Sequence, residues 1–334
     1  MTDITTIDIK NKEIGSVSEK IDEIKIRPNT LESFVGQSEI KHNVKVFIDA
    51  AKMRKKHLDH VLLYGPPGLG KTTFSNIIAS EMGVGIQTTA GPMLSKVGDL
   101  AAILTNLKPN DVLFIDEVHR MPITVEETLY SAMEDFRLDI IIGEGPMARV
   151  VKVNIAPFTL IGATTRMGLI SNPLRSRFGI LLPLSFYNFD ELSQVITRCC
   201  KINNIVIEPN AAHLIATRSR GTPRIAIRIA KRVSDFAIVA GEETITTQIV
   251  NEATKKMGID TCGLDANDIR YLTFIAEKYN GGPVGIDTIS AGMSEDRGAV
   301  EETIEAYLIK EGFVEKTARG RVLTPKAINH ISGY

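Results

Sequence analysis

The chain lacks the features that would place it in a membrane, in an oxidising compartment or around a zinc ion. No run approaches the ~18 to 20 consecutive apolar residues of a membrane helix. The first segment, Met1 to Asp22, is polar and mixed in charge, with no apolar signal-peptide core. A cytoplasmic location, with no membrane partner, is the expectation. Cysteine is scarce: there are three in 334 residues, and two of them, Cys199 and Cys200, are adjacent, a poor geometry for a mutual disulfide. No Cys-x-x-Cys or Cys/His set has zinc spacing, so the cysteines read as small buried hydrophobes. An excess of one charge is also missing. The formal net charge of -1 argues against wholesale polyanion binding and confines any nucleic-acid surface to a local basic patch. Apolar content is ample: 43% hydrophobic residues over 334 positions exceed what one core usually serves, so two or three domains are expected.

The most informative stretch is Gly65-Pro66-Pro67-Gly68-Leu69-Gly70-Lys71-Thr72-Thr73. It follows an apolar run, Val61 to Tyr64, and precedes a helix-compatible segment, Phe74 to Met82. That order is strand, phosphate loop, helix. Backbone N–H groups of such a loop curl around nucleotide phosphates, with Lys71 beside the outer ones and the Thr72 hydroxyl free for a magnesium ion. A second apolar run, Val112 to Ile115, delivers Asp116 and Glu117 to its carboxyl end, where ligands bind in open α/β sheets. Asp116 suits a metal role, and Glu117 can orient and polarise an attacking water. Together the two motifs favour hydrolysis over nucleotide storage.

Helices and strands then alternate to about Leu184, the pattern of a parallel sheet covered on both faces. One strand, Phe158 to Ala163, ends in Thr164-Thr165-Arg166, which puts a hydroxyl near the outer phosphate. Before it, residues 138–153 read as a hairpin around Gly143-Glu144-Gly145-Pro146. Its arms are apolar enough either to pack on their own domain or to meet a partner. Past Pro183 the pattern predicts helices only, at Asp190 to Asn203, Pro209 to Ser219 and Pro223 to Ala240, a small lid. Arg224 falls in the first turn of the last of these, where a cation opposes the helix dipole; a ligand phosphate or ordinary surface exposure would each account for it. From about Met257, helices are expected at Ala266 to Tyr279, Gly285 to Met293 and Gly298 to Glu311, followed by a hairpin from Gly312 to Leu323. Three helices and a hairpin suggest a winged helix. Lys316, Arg319 and Arg321 crowd the hairpin tip, which suits DNA phosphates, although many winged helices bind proteins.

The phosphate loop, Phe114 to Arg120, Gly162 to Arg166, Pro173 to Gly179, Arg220 to Arg224 and Gly281 to Gly285 occur in the order found in the RuvB family. From about Arg27 onward the chain resembles these AAA+ ATPases, the motors of Holliday-junction branch migration. The resemblance implies an α/β fold: a P-loop AAA+ core over residues 1–187, a small helical lid over 188–257 and a winged-helix head over 258–334. It also implies ATP and Mg2+ as cofactors. Asp116, Glu117 and Thr165 become the catalytic set with Arg177, an arginine finger that acts in a neighbouring subunit. Nucleotide contacts are expected from Ile26, Arg27, Gly68, Gly70, Lys71, Thr72, Thr73, Glu134, Asp135, Phe136, Tyr187 and Arg224, metal contacts from Thr72 and Asp116. DNA contacts are expected from Arg297, Lys316, Arg319 and Arg321. The implied partners are duplex DNA at four-way junctions, a RuvA-like protein meeting the hairpin at 138–153, a RuvC-like resolvase and other copies of the chain in a homo-hexamer. The wing departs from the family's Arg-Thr-Pro-Arg-Gly-Arg: here Lys316 and Ala318 replace an arginine and a proline, so the tip loses a bidentate phosphate contact and some rigidity. Two other readings remain: a clamp-loader-like ATPase, which would carry a helical collar in place of the head, and a nucleotide-switch adaptor, which has no need of both Glu117 and Arg177.

Overall fold

The computed structural model describes residues 27–142 and 149–333, with the side chains of residues 140–142 and 150 outside that description. Five short strands form the central sheet: β1 (Val61–Tyr64), β2 (Ile86–Ala90), β3 (Val112–Asp116), β6 (Thr159–Thr164) and β7 (Ile180–Pro183). Their spatial order is β2-β3-β6-β1-β7, and every pairing is parallel. Period-two alternation divides each strand between two cores. Val61 and Leu63 of β1 face one, with Phe74, Ile77 and Ile78 of helix α2 (Lys71–Met82); Leu62 faces the other, with Leu113, Ile115 and Leu160. A sheet buried on both faces needs continuous apolar strands at its centre, and that is what β1, β3 and β6 are.

Helices α1 (Ser38–Arg54) and α2 cover the first face, while α3 (Val97–Leu104) and α4 (Ile123–Asp135) cover the second. Strand β2, Ile86-Gln87-Thr88-Thr89-Ala90, has too few apolar residues to stand out in the sequence, because it is an edge strand and is only half buried. The hairpin forms as expected from β4 (Arg137–Ile142) and β5 (Arg149–Asn154), with Ile140 opposite Val151. Its base packs on its own domain through Leu138 and Val153, whereas Val151 is exposed. Its turn, residues 143–148, lies outside the described residues.

The lid holds four helices: α6 (Phe189–Ile202), α7 (Pro209–Thr217), α8 (Pro223–Ala240) and α9 (Thr247–Lys256), after the short α5 (Asn172–Ser176) of the core. The expectation of helices alone past Pro183 is corrected in the lid, where Val206–Ile207 (β8) pairs with Thr244–Ile245 (β9) in parallel. Lid residues Leu192, Ile196, Ile229 and Val233 belong to the same apolar cluster as β1 and α2, so core and lid share one packed interior. Cys199 and Cys200 are buried there, as small hydrophobes.

The head has its own core, which includes Tyr271, Leu272, Ile275, Ile289 and Leu308. It comprises α10 (Ala266–Tyr279), α11 (Ile286–Met293), a third helical segment, a hairpin of β10 (Val314–Thr317) and β11 (Gly320–Leu323), and a last helix that the sequence pattern did not single out. In sequence the third helical segment is one helix. In the structure it runs as α12 (Arg297–Ala299), a π-helical stretch over Val300–Glu305 and α13 (Ala306–Lys310). The last helix, α14 (Pro325–Ile331), is capped by the Thr324 hydroxyl, which accepts from the Ala327 N–H. Arg220 ties lid to head: its guanidinium pairs with the Asp268 carboxylate at 3.0 Å, donates to the Thr303 carbonyl at 2.6 Å and lies over the Tyr307 ring. Among the described residues no helix is long and apolar enough to cross a membrane.

Candidate functional site

The phosphate loop spans the gap between β1 and α2. Gly65, Gly68 and Gly70 take positive φ values of 141°, 80° and 95°, the conformations a loop needs if its N–H groups are to curl around a phosphate. At Gly68 a Cβ would stand 3.2 Å from Arg224 Cβ, so the lid closes directly on the loop. Lys71 is buried, and its ammonium donates to the carbonyls of Gly65 at 2.8 Å and Pro66 at 2.9 Å. Burial pushes its pKa down to about 8, against the carboxylates of Asp116, Glu302 and Glu117. Thr72 and Thr73 are half-buried in the first turn of α2.

Strand β3 ends with Asp116, whose Oδ1 accepts from the Glu117 N–H at 3.0 Å. Glu117 itself takes φ 48° and ψ 47°, a left-handed conformation uncommon outside glycine, and its carboxylate meets Arg120 at 2.8 Å. On the neighbouring strand β6, the Thr164 hydroxyl is 2.9 Å from His119 Nδ1 and accepts from the Arg166 N–H at 2.9 Å. Burial lowers the His119 pKa. Beside it, the Thr165 hydroxyl is buried with no partner. An unpartnered buried donor at the carboxyl edge of the sheet, opposite a loop of convergent N–H groups, fits a phosphate oxygen. Thr72 and Asp116 supply oxygen donors, the kind a hard divalent cation takes.

Next to the phosphate loop, lid and head enclose a cavity of about 370 Å³, lined by Pro66 and Gly68 of the loop, Thr222, Arg224 and Arg228 of the lid and Glu302 of the head among others. Arg224 is held over the loop by its own N–H, which approaches the Gly68 carbonyl at 3.4 Å. Arg228 was missed in the sequence, although its spacing of four from Arg224 places both on one face of α8. Tyr187 is buried at the seam, and its hydroxyl donates to the Leu69 carbonyl at 3.3 Å. Arg27 is exposed at the start of the described chain, and Ile26 lies outside the described residues.

Four expected site residues are elsewhere. Arg177 lies over the Tyr130 ring at 4.4 Å, donates to the Pro173 carbonyl and pairs with Glu134 at 3.1 Å. Arg177 and Glu134 line a separate groove with Phe136, His57 and Gly179. His60 donates from Nε2 to the Met133 carbonyl and precedes β1, while Gly179 precedes β7, so this groove lies at the amino ends of the strands. The phosphate loop is at the carboxyl ends. Glu134, Asp135 and Phe136 are therefore not part of their own chain's nucleotide cleft: Asp135 pairs with Arg137, and the Phe136 ring packs edge-on against His57 and Phe158. The reason is the direction of α4, which starts after the carboxyl end of β3 and runs back along the sheet.

In the head, Lys316 and Arg319 are exposed at the hairpin tip and Arg297 is exposed at the start of α12, paired with Asp287 and Glu301. Arg321, also expected as a DNA contact, is not exposed as the other three are. It is buried, its Nε donating to Glu305 Oε1 at 2.8 Å and its Nη2 to Glu301 Oε1 at 3.1 Å. Strand β11 is flanked by β10 on one side and bridged to Val284 on the other, so Arg321 is enclosed, while Lys316 opposite it stays on the outer strand.

Three family models cover nearly all of the chain: the Holliday junction DNA helicase RuvB P-loop domain over residues 26–184, the RuvB AAA lid domain over 187–260 and the RuvB C-terminal winged helix domain over 261–332. The Holliday junction branch migration complex subunit RuvB of Ehrlichia ruminantium (strain Gardel) is 57% identical over 324 residues, 96% of this chain and 97% of that one. The subunit of the same name from Orientia tsutsugamushi (strain Ikeda) is 57% identical over 317 residues, 95% of this chain and 98% of its own. Among solved structures, the Thermotoga maritima RuvB Holliday junction branch migration motor matches with a TM-score of 0.86 at 49% identity, covering 92% of this chain and 98% of that one. With a P-loop core, a lid that closes on the loop and a winged-helix head, and with this likeness along its length, the chain belongs to the RuvB family.

Proposed function

We propose that this protein is the ATP-driven motor of Holliday-junction branch migration in the cytoplasm, working as a homo-hexamer that draws duplex DNA through its ring. The observation that carries the reading is the convergence of Lys71, Asp116, Glu117 and the unpartnered Thr165 hydroxyl at one sheet edge, beneath Arg224 of the lid. Lys71 exchanges two carbonyl partners for the β- and γ-phosphate oxygens of ATP, and its ammonium form is favoured by that exchange. Thr165 donates to the outer phosphate, and Glu117, once it leaves Arg120, orients the attacking water. Mg2+, held by Thr72 and Asp116, would neutralise charge on the phosphates. Arg224 reads the phosphates from the lid, so nucleotide state sets the lid angle.

Arg177, at the amino ends of the strands, serves as the finger for the next subunit's site, with Glu134, Asp135 and Phe136 on the same presenting face. Hydrolysis then depends on assembly. Lys316 and Arg319, with Arg297, contact DNA phosphates, the hairpin at 138–153 meets a RuvA-like protein at the junction, and a RuvC-like resolvase meets the same junction. The test is ATP-dependent dissociation of a synthetic four-way junction, with and without a RuvA-like partner, beside a linear duplex and Lys71→Ala. Partner-stimulated, junction-selective activity that Lys71→Ala abolishes is expected. ATP hydrolysis with no junction processing would overturn the reading in favour of a clamp-loader-like ATPase.

A further inference from the structure

The head brings a carboxylate to the ATPase site that no motif accounts for. Glu302, in the π-helical stretch, lies 2.5 Å from Nε of Arg166, the residue that follows Thr165. Glu301 adds a longer contact, 3.5 Å to Nη2 of the same arginine. Glu302 also lines the cavity that lid and head enclose beside the phosphate loop, and its charge raises the pKa of both Lys71 and His119 against the larger, opposing effect of burial. A side chain from a separately cored domain therefore faces the region where an outer phosphate would lie.

The approach is built into both partners. On the head, a Cβ at Gly298 would stand 2.7 Å from Arg166 Nη2, so glycine is what lets the guanidinium settle there. Arg166 retains 28% of its side-chain exposure and Glu302 24%, so the pair is partly shielded from solvent without being sealed off. Such a pair can give way to a stronger anion. The contact also continues inward. Glu301 accepts from Arg321 of β11 at 3.1 Å, Arg321 donates to Glu305 at 2.8 Å, and Tyr271 donates to Glu305 at 2.9 Å. One run of charge-assisted hydrogen bonds thus links the strand end carrying Thr165 to the wing strand next to Arg319.

The geometry points to Glu302 as a specificity-determining residue that the head lends to the ATPase site: while the head is docked it disfavours a triphosphate relative to a diphosphate, and a bound outer phosphate displaces it from Arg166. This rests on the phosphate loop and the strand ends beside it being the nucleotide site. A carboxylate repels the added negative charge of a triphosphate at short range, while a diphosphate lacks the phosphate that would reach Thr165 and Arg166. Arg166, offered a phosphate, exchanges one anion for the other. The head then loses its pair to the core, and the wing beyond Arg321 is released from the strand end that carries Thr165.

The experiment measures dissociation constants of full-length protein for ADP and for a non-hydrolysable ATP analogue, in wild type, Glu302→Gln, Glu301→Gln and Lys71→Ala. Glu302→Gln keeps size and hydrogen-bonding capacity and removes the charge. It should tighten the triphosphate analogue by about tenfold and leave ADP within about twofold. Glu301→Gln, with the same charge change one residue away, should move the ratio of the two constants less. In wild type, a distance probe spanning core and head should lengthen with the triphosphate analogue and not with ADP. Equal shifts for both nucleotides, or none, would overturn the assignment of Glu302, since a merely structural ion pair treats them alike. If wild type binds neither nucleotide, or Lys71→Ala binds as well as wild type, it is the nucleotide-site reading that fails.

Discussion

The phosphate loop and the head each bury one cation, and they treat it in opposite ways. Lys71 is 8% exposed and Arg321 6%. Lys71 is held by two neutral carbonyls, and burial drives its pKa down to about 8. Arg321 is surrounded by Glu305, Glu301 and the Tyr271 hydroxyl network, and the hydrogen bond and charge of Glu305 raise its pKa against the opposing effect of burial. A cation kept for a ligand is left with weak partners that an incoming anion can replace. A structural cation is saturated, and nothing is left for a ligand. The same contrast separates Thr165, buried with no partner, from the caps of the head such as Thr324, whose side chain is fully engaged.

The sharpest way to break this comparison is to remove each cation and ask whether activity or stability is lost. Lys71→Ala should abolish measurable turnover while changing folding stability by less than about 1 kcal/mol, read by steady-state hydrolysis and urea unfolding. A loss of stability as large as that at Arg321 would erase the distinction. Arg177→Ala should lower hydrolysis by about a thousandfold, with partial recovery when wild-type subunits are mixed in. Recovery absent in mixed assemblies would confine Arg177 to its own subunit.

Arg321→Met should destabilise the head by about 3 to 5 kcal/mol, because Glu305, with 3% side-chain exposure, is left as a buried charge without its cation. Thermal and urea unfolding check this; an unchanged midpoint would show the network to be dispensable. A gentler probe is pH. With the free Lys71 near pKa 8, a bound phosphate favours the ammonium and raises that value, so binding above pH 8 takes up a proton. Nucleotide affinity should be flat just below pH 8 and weaken by up to about tenfold per unit above it, in a titration with a fluorescent nucleotide. Affinity independent of pH from 8 to 9.5 would mean the ammonium is already fixed. Smallest of all, Arg319→Ala at the exposed tip should weaken duplex binding a few-fold and reduce the slope of log affinity against log salt by about one, without moving the unfolding midpoint.

Local sequence was not enough for α9 or the β8–β9 pair, but it was enough for the strand, loop and helix around Lys71, the acidic pair after β3 and three of the four lid helices. Each is a matter of neighbouring residues: glycines that permit positive φ, apolar runs of strand length, and Pro223 at the first position of α8. Helix α8 and helix α10 begin and end where the periodicity places them. The edge strand β2 was not legible, since an edge strand can be polar on both faces. Tertiary structure alone decided which charges face solvent and which face one another. Lys316 and Arg321 are five positions apart on one hairpin and look equivalent in sequence, yet the bridge to Val284 encloses one strand and leaves the other at the edge. Arg177 and Glu134 meet, and Arg166 meets Glu302, across separations of tens to more than a hundred residues. Contacts of that kind depend on how α4 returns along the sheet and how the head docks, and no local pattern encodes either.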